Sequence, residues 1–470
     1  MSQRRVVVVG GGLAGITAAV SLRDAGAAVT LLESRPRLGG AASSYSRAGM
    51  MIDNGQHVFL RCCSSYQDLL ARLGVTDQVS IQKRFDVTIM TGTGTGHARL
   101  RRSSLPSPLH FAGALAGYPL LSLAERAKVG RAALAFRFAD PASPDLDRQR
   151  LGEWLALRGQ GERARRRLWD LFIISALNIS GDDANVGLAA TVIKTALLGR
   201  RDAADIGMAK VPLGRLHADA TADLLGRVGA EVRLGARAAS IERLPGGGFR
   251  IEGPADSGAA SILADAVVLA VPPGQAARLA GGAGVTQAPD FEHLGYSPIV
   301  NVHVIYDRQV MQLPFVAAVD SPVQWVFDKT RQSGLRAGQY LAVSLSAADD
   351  FVEMPTAALR QLFLPALEQL LPAAAGAGIT DFFVTRERRA TFRQGPGSGA
   401  LRPGAATSVP GLVLAGAWTD TGWPDTMEGA VRSGHNAARE LAGQLASLPP
   451  AEQAPGLKTA ELDNAWSGAS

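Results

Sequence analysis

The stretch Val6-Val7-Val8-Val9-Gly10-Gly11-Gly12-Leu13-Ala14-Gly15-Ile16 decides how the chain is read. Four β-branched residues in a row suit a strand buried on both faces. The glycines end it, and Leu13, Ile16, Ala19, Val20 and Leu22 then recur at helical spacing as far as Gly26. A second apolar run over 28–32, closed by Glu33, completes a strand–turn–helix–strand unit of ~30 residues and predicts parallel strands. Each glycine of Gly10-x-Gly12-x-x-Gly15 has a physical reason. Gly10 permits the tight turn, Gly12 lets backbone approach a pyrophosphate, and Gly15 lets helix and strand pack closely, while the helix N-terminus offers free N–H groups to the anion. Glu33, 18 residues past Gly15, stands where a carboxylate can accept ribose hydroxyls. Strand, glycines, helix and acid in register predict a bound dinucleotide.

The rest of the composition fits a large folded enzyme. Of 470 residues, 47% are hydrophobic and 19% charged, which excludes intrinsic disorder and predicts two to four domains. Lys plus Arg number 48 against 42 Asp plus Glu, and the basic residues are scattered, so no nucleic-acid partner is expected. The only cysteines, Cys62 and Cys63, are adjacent, which supports neither a disulfide framework nor a metal site and fits a reducing cytoplasm. No apolar run reaches the ~18–20 residues of a membrane-spanning helix, and the N-terminus makes a poor signal peptide.

Further along, 231–234, 248–252, 266–271 and 411–415 read as strands able to rejoin the first sheet. Residues 151–200 read as largely helical, and 296–306 and 339–345 as strands of a mostly separate substrate region. The expected division is a discontinuous dinucleotide domain of 1–75, 205–290 and 385–446, a substrate domain of 76–204 and 291–384, and a disordered tail, 447–470. Residues 103–138 are apolar with basic edges. They suit either a core helix pair or a segment lying on a membrane surface. The cluster Arg163, Arg165, Arg166 and Arg167 reads as a solvated helix face.

Arg35-Pro36-Arg37-Leu38-Gly39-Gly40 continues directly from Glu33. With Gly411-Leu412-Val413-Leu414-Ala415-Gly416-Ala417-Trp418-Thr419 and Thr426-Met427-Glu428-Gly429-Ala430, it resembles the FAD-binding amine oxidase and phytoene desaturase superfamily. The resemblance implies FAD and an α/β fold: a Rossmann-like FAD-binding domain in discontinuous segments, plus an inserted substrate domain of mixed sheet and helices. It also implies cofactor contacts from Gly10, Gly12, Leu13, Ala14 and Gly15, then Glu33, Ser34 and Arg35, then Gly39, Gly40 and Ala41. Gly55, Gln56, His57 and Ala238 follow, and Gly416, Ala417, Thr426 and Met427 complete the set. The superfamily commonly has Arg where this chain has Ala41, and many members have Asp where it has Ala417.

Asp53-Asn54-Gly55-Gln56-His57 and Thr421-Gly422-Trp423-Pro424-Asp425-Thr426-Met427-Glu428-Gly429 narrow the match. Over roughly 5–445 the chain resembles the hydroxysqualene dehydroxylase family of bacterial hopanoid biosynthesis. That resemblance implies reductive removal of the hydroxyl of hydroxysqualene, a long-chain isoprenoid, to give squalene. It implies the other squalene-forming enzymes as partners and a cytoplasmic protein attached peripherally to the membrane surface. Protonation of the allylic alcohol, loss of water and hydride capture would need an acid and a dry apolar pocket. His57 and Asp425 are the candidate acids, with Asp420 nearby. The alternatives are a scaffold or FAD contact for His57, a surface or helix-capping role for Asp425, and a turn-capping role for Asp53. Rival readings are a carotenoid-type desaturase or isomerase and a non-catalytic FAD-binding partner. An amine oxidase is disfavoured because Asn301 falls where those enzymes carry a flavin-facing lysine.

Overall fold

The computed structural model describes residues 3–92, 96–255 and 261–451. Its first strand, Arg5–Val9, runs parallel to Ala28–Glu33 on one side and to Ala266–Leu269 on the other. Glu231–Leu234 and Leu412–Leu414 extend the sheet at its two edges, again in parallel. Segments distant in sequence thus rejoin one sheet around the first strand. Val6 and Val8 pack against helices Leu13–Asp24 and Met427–Leu445, whereas Val7 and Val9 face the opposite core. All four are buried, which makes the valine run a two-faced core element. Gly434 lets the two helices touch, since a Cβ there would lie 2.4 Å from the Ala14 carbonyl oxygen.

One expected member is absent from this sheet. Phe249–Glu252 pairs antiparallel with Ser240–Arg243 and Ile262–Ala264 in a small sheet of its own. The reason is in its pattern: Phe249 and Ile251 are buried while Glu252 is exposed. Such alternation suits a sheet with one wet face and not a strand enclosed on both sides.

A seven-stranded mixed sheet forms the second layer, in the order 379–391, 297–306, 339–345, 325–328, 315–319, 86–91, 97–101. Its two faces differ in kind. Val300, Val302, Val304 and Val343 pack on helix Thr356–Leu370. The registers Asn301↔Ser344, Asn301↔Thr385 and His303↔Ala342 put Asn301, His303, Ser344 and Thr385 on the opposite face. Phe315, Trp325 and Phe327 share that face through their own pairings. The substrate region is not packed separately, because one cluster of buried apolar side chains runs from Val7 and Leu269 through Phe85 and Trp169 to Phe315 and Phe327.

Residues 151–200 are helical as expected, including Leu151–Ala156, Asp170–Leu177 and Val186–Val192. The arginine cluster is engaged in ion pairs: Arg163 with Glu125, Arg165 with Asp182, Arg166 with Glu162 and Arg167 with Asp320. Of the expected tail, 452–470 lie outside the described residues, but its start is tied down. The Ala451 N–H donates to Asp265 (2.8 Å) and its carbonyl accepts from Arg5 (3.2 Å).

Candidate functional site

The glycine loop is built by close approach. Gly10 has φ +109°, and a Cβ on it would meet the Ala270 oxygen at 2.2 Å; a Cβ on Gly15 would meet the Gly10 oxygen at 1.8 Å. Gly12 differs, because its nearest neighbour would be Gly40 Cα at 3.9 Å, which leaves room above the loop. The second glycine pair lies directly against the first: the Gly39 N–H donates to the Gly11 carbonyl at 2.8 Å. Helix Leu13–Asp24 has no side-chain cap, so its first N–H groups are free for an anion. Glu33 is buried and already accepts from the Gly11 N–H (2.7 Å) and the Arg35 N–H (2.8 Å), with lone pairs to spare. Ser34, Arg35 and Ala41 are exposed, and Ala238 is buried just past Ala236, whose N–H donates to the Glu33 carbonyl at 2.8 Å.

The closing motif is shaped by a residue the sequence reading missed. Arg402 is buried and donates to the carbonyls of Ala417 (3.0 Å), Trp418 (3.3 Å) and Thr419 (2.5 Å), clamping the loop after Gly416. Nothing local in the sequence marks it, since its partners are backbone oxygens. The Gly416 N–H donates to Ser433 Oγ at 2.8 Å, which fixes the strand end to the helix behind it. The cap of helix Met427–Leu445 is Thr426, whose Oγ1 accepts from the Gly429 N–H at 3.2 Å, so Asp425 is not the cap. The Asp425 carboxylate instead accepts the Phe392 N–H at 2.9 Å. Burial raises its pKa to about 6, with the Phe392 bond and Arg402 opposing. Glu428 is also spoken for: it caps helix Ser64–Leu73 through the Ser65 (3.2 Å) and Tyr66 (2.8 Å) N–H groups and accepts from Arg432 at 2.7 Å.

Between these two walls lies a group of buried polar atoms without protein partners. Gln56 Nε2, His57 Nδ1, Ser43 Oγ and both amide atoms of Asn301 are unpaired. A Cβ on Gly55 would lie 3.3 Å from His57 Cε1 and 3.7 Å from Asn301 Nδ2, so the three meet at one point. Native interiors rarely leave such atoms unmet, and a polar ligand satisfies them. Burial lowers the His57 pKa to about 4, which leaves the ring neutral at pH 7 and removes the acidity that recommended it. Asp53 sits beneath this point as a buried anchor, accepting from Ser44 Oγ (2.7 Å), the Leu213 N–H (2.9 Å) and Lys329 Nζ (2.8 Å).

From this polar end an apolar cavity extends, lined by Gln56, Trp423, Pro424, Thr426 and Met427 at one end and by Phe85, Phe172, Phe315, Trp325 and Phe327 along its walls. Asp425 and His57 are not among its lining residues. A second apolar cavity shares the lining residues Leu100, Phe172 and Leu197 with it, so the two are neighbours. The outer cavity is bounded by Leu109, Leu115, Val129 and Leu134, in the segment expected to be either core or membrane-facing. Val129, Ala132 and Phe136 of helix Leu123–Phe138 are buried, as the core reading expects, whereas Leu123, Leu134 and Phe138 are exposed.

A model of the flavin containing amine oxidoreductases matches residues 13–442. The chain belongs to this family. It is an FAD-dependent oxidoreductase, and the open space at Gly12 and the unpaired polar atoms fit that cofactor. Among curated relatives, the hydroxysqualene dehydroxylase of Rhodopseudomonas palustris is 28% identical, covering 93% of this chain and 97% of that one. The zeta-carotene desaturase of a Synechocystis species is 24% identical, covering 95% and 99%. Two solved oxidases share the fold of this flavoenzyme. Putrescine oxidase has a TM-score of 0.72 at 19% identity, covering 94% and 99%. Cyclohexylamine oxidase from Brevibacterium oxydans has a TM-score of 0.70 at 21% identity, covering 95% and 100%. No helix among the described residues is long and apolar enough to cross a membrane.

Proposed function

We propose that this flavoenzyme removes the hydroxyl of hydroxysqualene reductively to give squalene. The observation that carries the reading is the pair of adjoining apolar cavities, one with Gln56 and Met427 in its wall and the other with Leu109 and Leu134. Their largely apolar walls suit a long hydrocarbon chain, and Gln56 among them suits a hydroxyl. Kinship with hydroxysqualene dehydroxylases along nearly their whole length supports the substrate.

When bound and reduced, FAD would supply the hydride. Gly10, Gly12 and Gly15 with the helix start at Leu13 and Ala14 would hold the pyrophosphate, and Glu33, Ser34, Arg35 and Ala238 the adenosine. Gly39, Gly40, Ala41, Gly416 and Ala417 would flank the linking chain. Gly55, Gln56, His57, Thr426 and Met427 would border the ring, where the positive end of helix Met427–Leu445 would favour negative charge. The aromatic walls exclude water, so an allylic cation meets no competing nucleophile. Neither candidate acid lines the cavity, and of the two Asp425, between the lining residues Pro424 and Thr426, is the better proton reservoir. With its pKa at about 6 a fraction remains protonated at neutral pH, whereas His57, at about 4, is neutral.

Substrate enters from lipid. Leu109 and Leu134 of the outer cavity are exposed, as are Leu105, Leu123 and Phe138 of the same segment, which also carries Arg126, Lys128, Arg131 and Arg137. That combination suits an anionic membrane surface and peripheral attachment. The other squalene-forming enzymes would then deliver substrate at the same surface.

The test is anaerobic reduction of the holoenzyme followed by addition of hydroxysqualene, with lipids followed by mass spectrometry. Squalene with matched flavin reoxidation is the expected result. Flavin that stays reduced with hydroxysqualene unchanged overturns the reading and turns attention to polyene desaturation. Asp425→Asn with normal FAD content and unimpaired turnover removes Asp425 as the acid.

A further inference from the structure

Cys62 and Cys63 take no part in the reading above. Both are half-buried free thiols on the turn between strand Val58–Leu60 and helix Ser64–Leu73, and both line the inner cavity beside Gln56, Thr426 and Met427. The turn is pinned by its backbone: the Cys62 N–H donates to the Ala203 carbonyl (3.0 Å), the Cys63 N–H to Leu60 (2.8 Å) and the Ser64 N–H to the carbonyl of Cys62 (2.9 Å). Adjacent on this pinned turn, the two thiols face the same cavity.

The pair is polarised. Donation from Cys63 favours the thiolate of Cys62 and draws its pKa below the ordinary thiol value against burial and the nearby Glu428, while the bond to Cys62 and burial push Cys63 well up. Cys62 also lies just ahead of the Cys63 N-cap of a ten-residue helix, whose positive end favours a thiolate, although Glu428 already occupies the Ser65 and Tyr66 N–H groups. One sulfur is thus prepared as a nucleophile with a protonated thiol on the next residue of the same turn. That is the arrangement of an attacking and a resolving cysteine.

We infer that Cys62 and Cys63 form a peroxide-sensitive modification site in the cavity wall, where hydrogen peroxide converts Cys62 to a sulfenic acid and Cys63 closes it to a disulfide between adjacent residues. In the first step the Cys62 sulfur attacks the O–O bond; an S–O bond forms and hydroxide leaves, taking up a proton to become water. In the second the Cys63 sulfur attacks that of Cys62; the S–O bond breaks and a second water departs with the Cys63 proton. Two thiols are oxidised and one peroxide is reduced to two waters. Peroxide is the product when a reduced flavin meets dioxygen instead of substrate, so the oxidant is one this class of enzyme meets. The small ring so formed requires the 60–64 turn to rearrange at the cavity wall. A dithiol reductant reverses it.

The inference stands apart from the substrate assignment and is tested without substrate. The holoenzyme is treated with a roughly equimolar dose of hydrogen peroxide, denatured in iodoacetamide and weighed by mass spectrometry. The expected result is loss of both alkylatable thiols in a monomeric product about 2 Da lighter than the untreated chain, both restored by dithiothreitol. Cys63→Ser should stop at a sulfenic acid that dimedone traps, and Cys62→Ser should keep its remaining thiol at the same dose, with bound-flavin absorbance reporting that each variant is folded. Two thiols still alkylatable in the native chain, sulfinic acid at Cys62 with Cys63 free, or a disulfide joining two chains would each overturn it.

Discussion

Replacing Lys329 by Met tests whether the Asp53 anchor holds the floor of the site. Asp53 and Lys329 are both buried and 2.8 Å apart, and Asp53 also accepts from Ser44 and the Leu213 N–H, so one carboxylate joins three separate segments. Burial alone would raise the Asp53 pKa, but Lys329 first, then Ser44 and Leu213, outweigh it and hold the carboxyl below its usual value. Removing one partner of such a pair leaves an uncompensated buried charge, at a cost of about 3–5 kcal/mol. That cost falls on the charged carboxylate, so removing Lys329 shifts the Asp53 pKa upward. The sign of the pH dependence follows. In the native protein the folded pKa is depressed, so Asp53 contributes stability above its unfolded pKa that is lost as pH falls. In Lys329→Met the folded pKa lies above the unfolded one, so the deficit is largest at about pH 8 and shrinks as pH falls toward about 5. Urea unfolding followed by tryptophan fluorescence at both pH values measures it. Adding Asp53→Asn to Lys329→Met should recover most of the loss, because no unpaired charge remains. A single variant within about 1 kcal/mol of native at pH 8, or a double variant no better than the single, refutes the reasoning.

Gly15→Ala should abolish FAD retention and lower the unfolding temperature, because its Cβ would sit 1.8 Å from the Gly10 oxygen and drive the helix off the strand; absorbance of bound flavin in the purified variant checks it. His217 and His303 are fully buried, and burial lowers their pKa values to about 4 and about 3, so both should remain neutral by NMR titration down to about pH 5. Their depressed folded pKa values make stability fall as pH drops below about 6.5, by roughly 3 kcal/mol for His217 by pH 4, and Asp425→Asn should steepen that fall because the raised pKa of Asp425 works in the opposite sense. Leu109→Asp with Leu134→Asp should weaken sedimentation with anionic vesicles while leaving bound-flavin absorbance unchanged, since both side chains are exposed at the outer cavity.

What the sequence made legible was whatever depends on neighbours in the chain. The valine run, the glycine spacing and the acid at the second strand are local, and each has one physical use, so the parallel unit and the place of Glu33 could be read directly. The residues 248–252 show where that stops. Their buried–exposed alternation was present in the sequence, but a strand grouped by proximity to its parallel neighbours was assigned to their sheet. The site was legible only in outline. Gln56 and His57 were visible, but Asn301 gains its meaning from standing opposite Gly55, and Arg402 from carbonyls fifteen or more residues away. His57 shows the same limit in electrostatic form. Its type suggests a proton near neutral pH, and burial removes it.

The arrangement of the large sheet explains why these distant residues converge. Strand Ser297–Tyr306 alternates valines with Asn301 and His303, so pressing its apolar face onto helix Thr356–Leu370 puts the polar residues on the opposite face of the sheet. His303 is then satisfied by Tyr340 (2.7 Å) and Thr385 (3.0 Å) within the sheet. Asn301, on the same face and two residues earlier, finds no such partner. The difference separates a structural polar residue from one held open for a ligand, because a strand that only needed to pack would gain by replacing an unpaired buried amide with another valine. The seam between the two sheets is therefore where a polar cost is tolerated. The space beside the glycine loop and the apolar cavity at Gln56 are the openings that such a ligand would use.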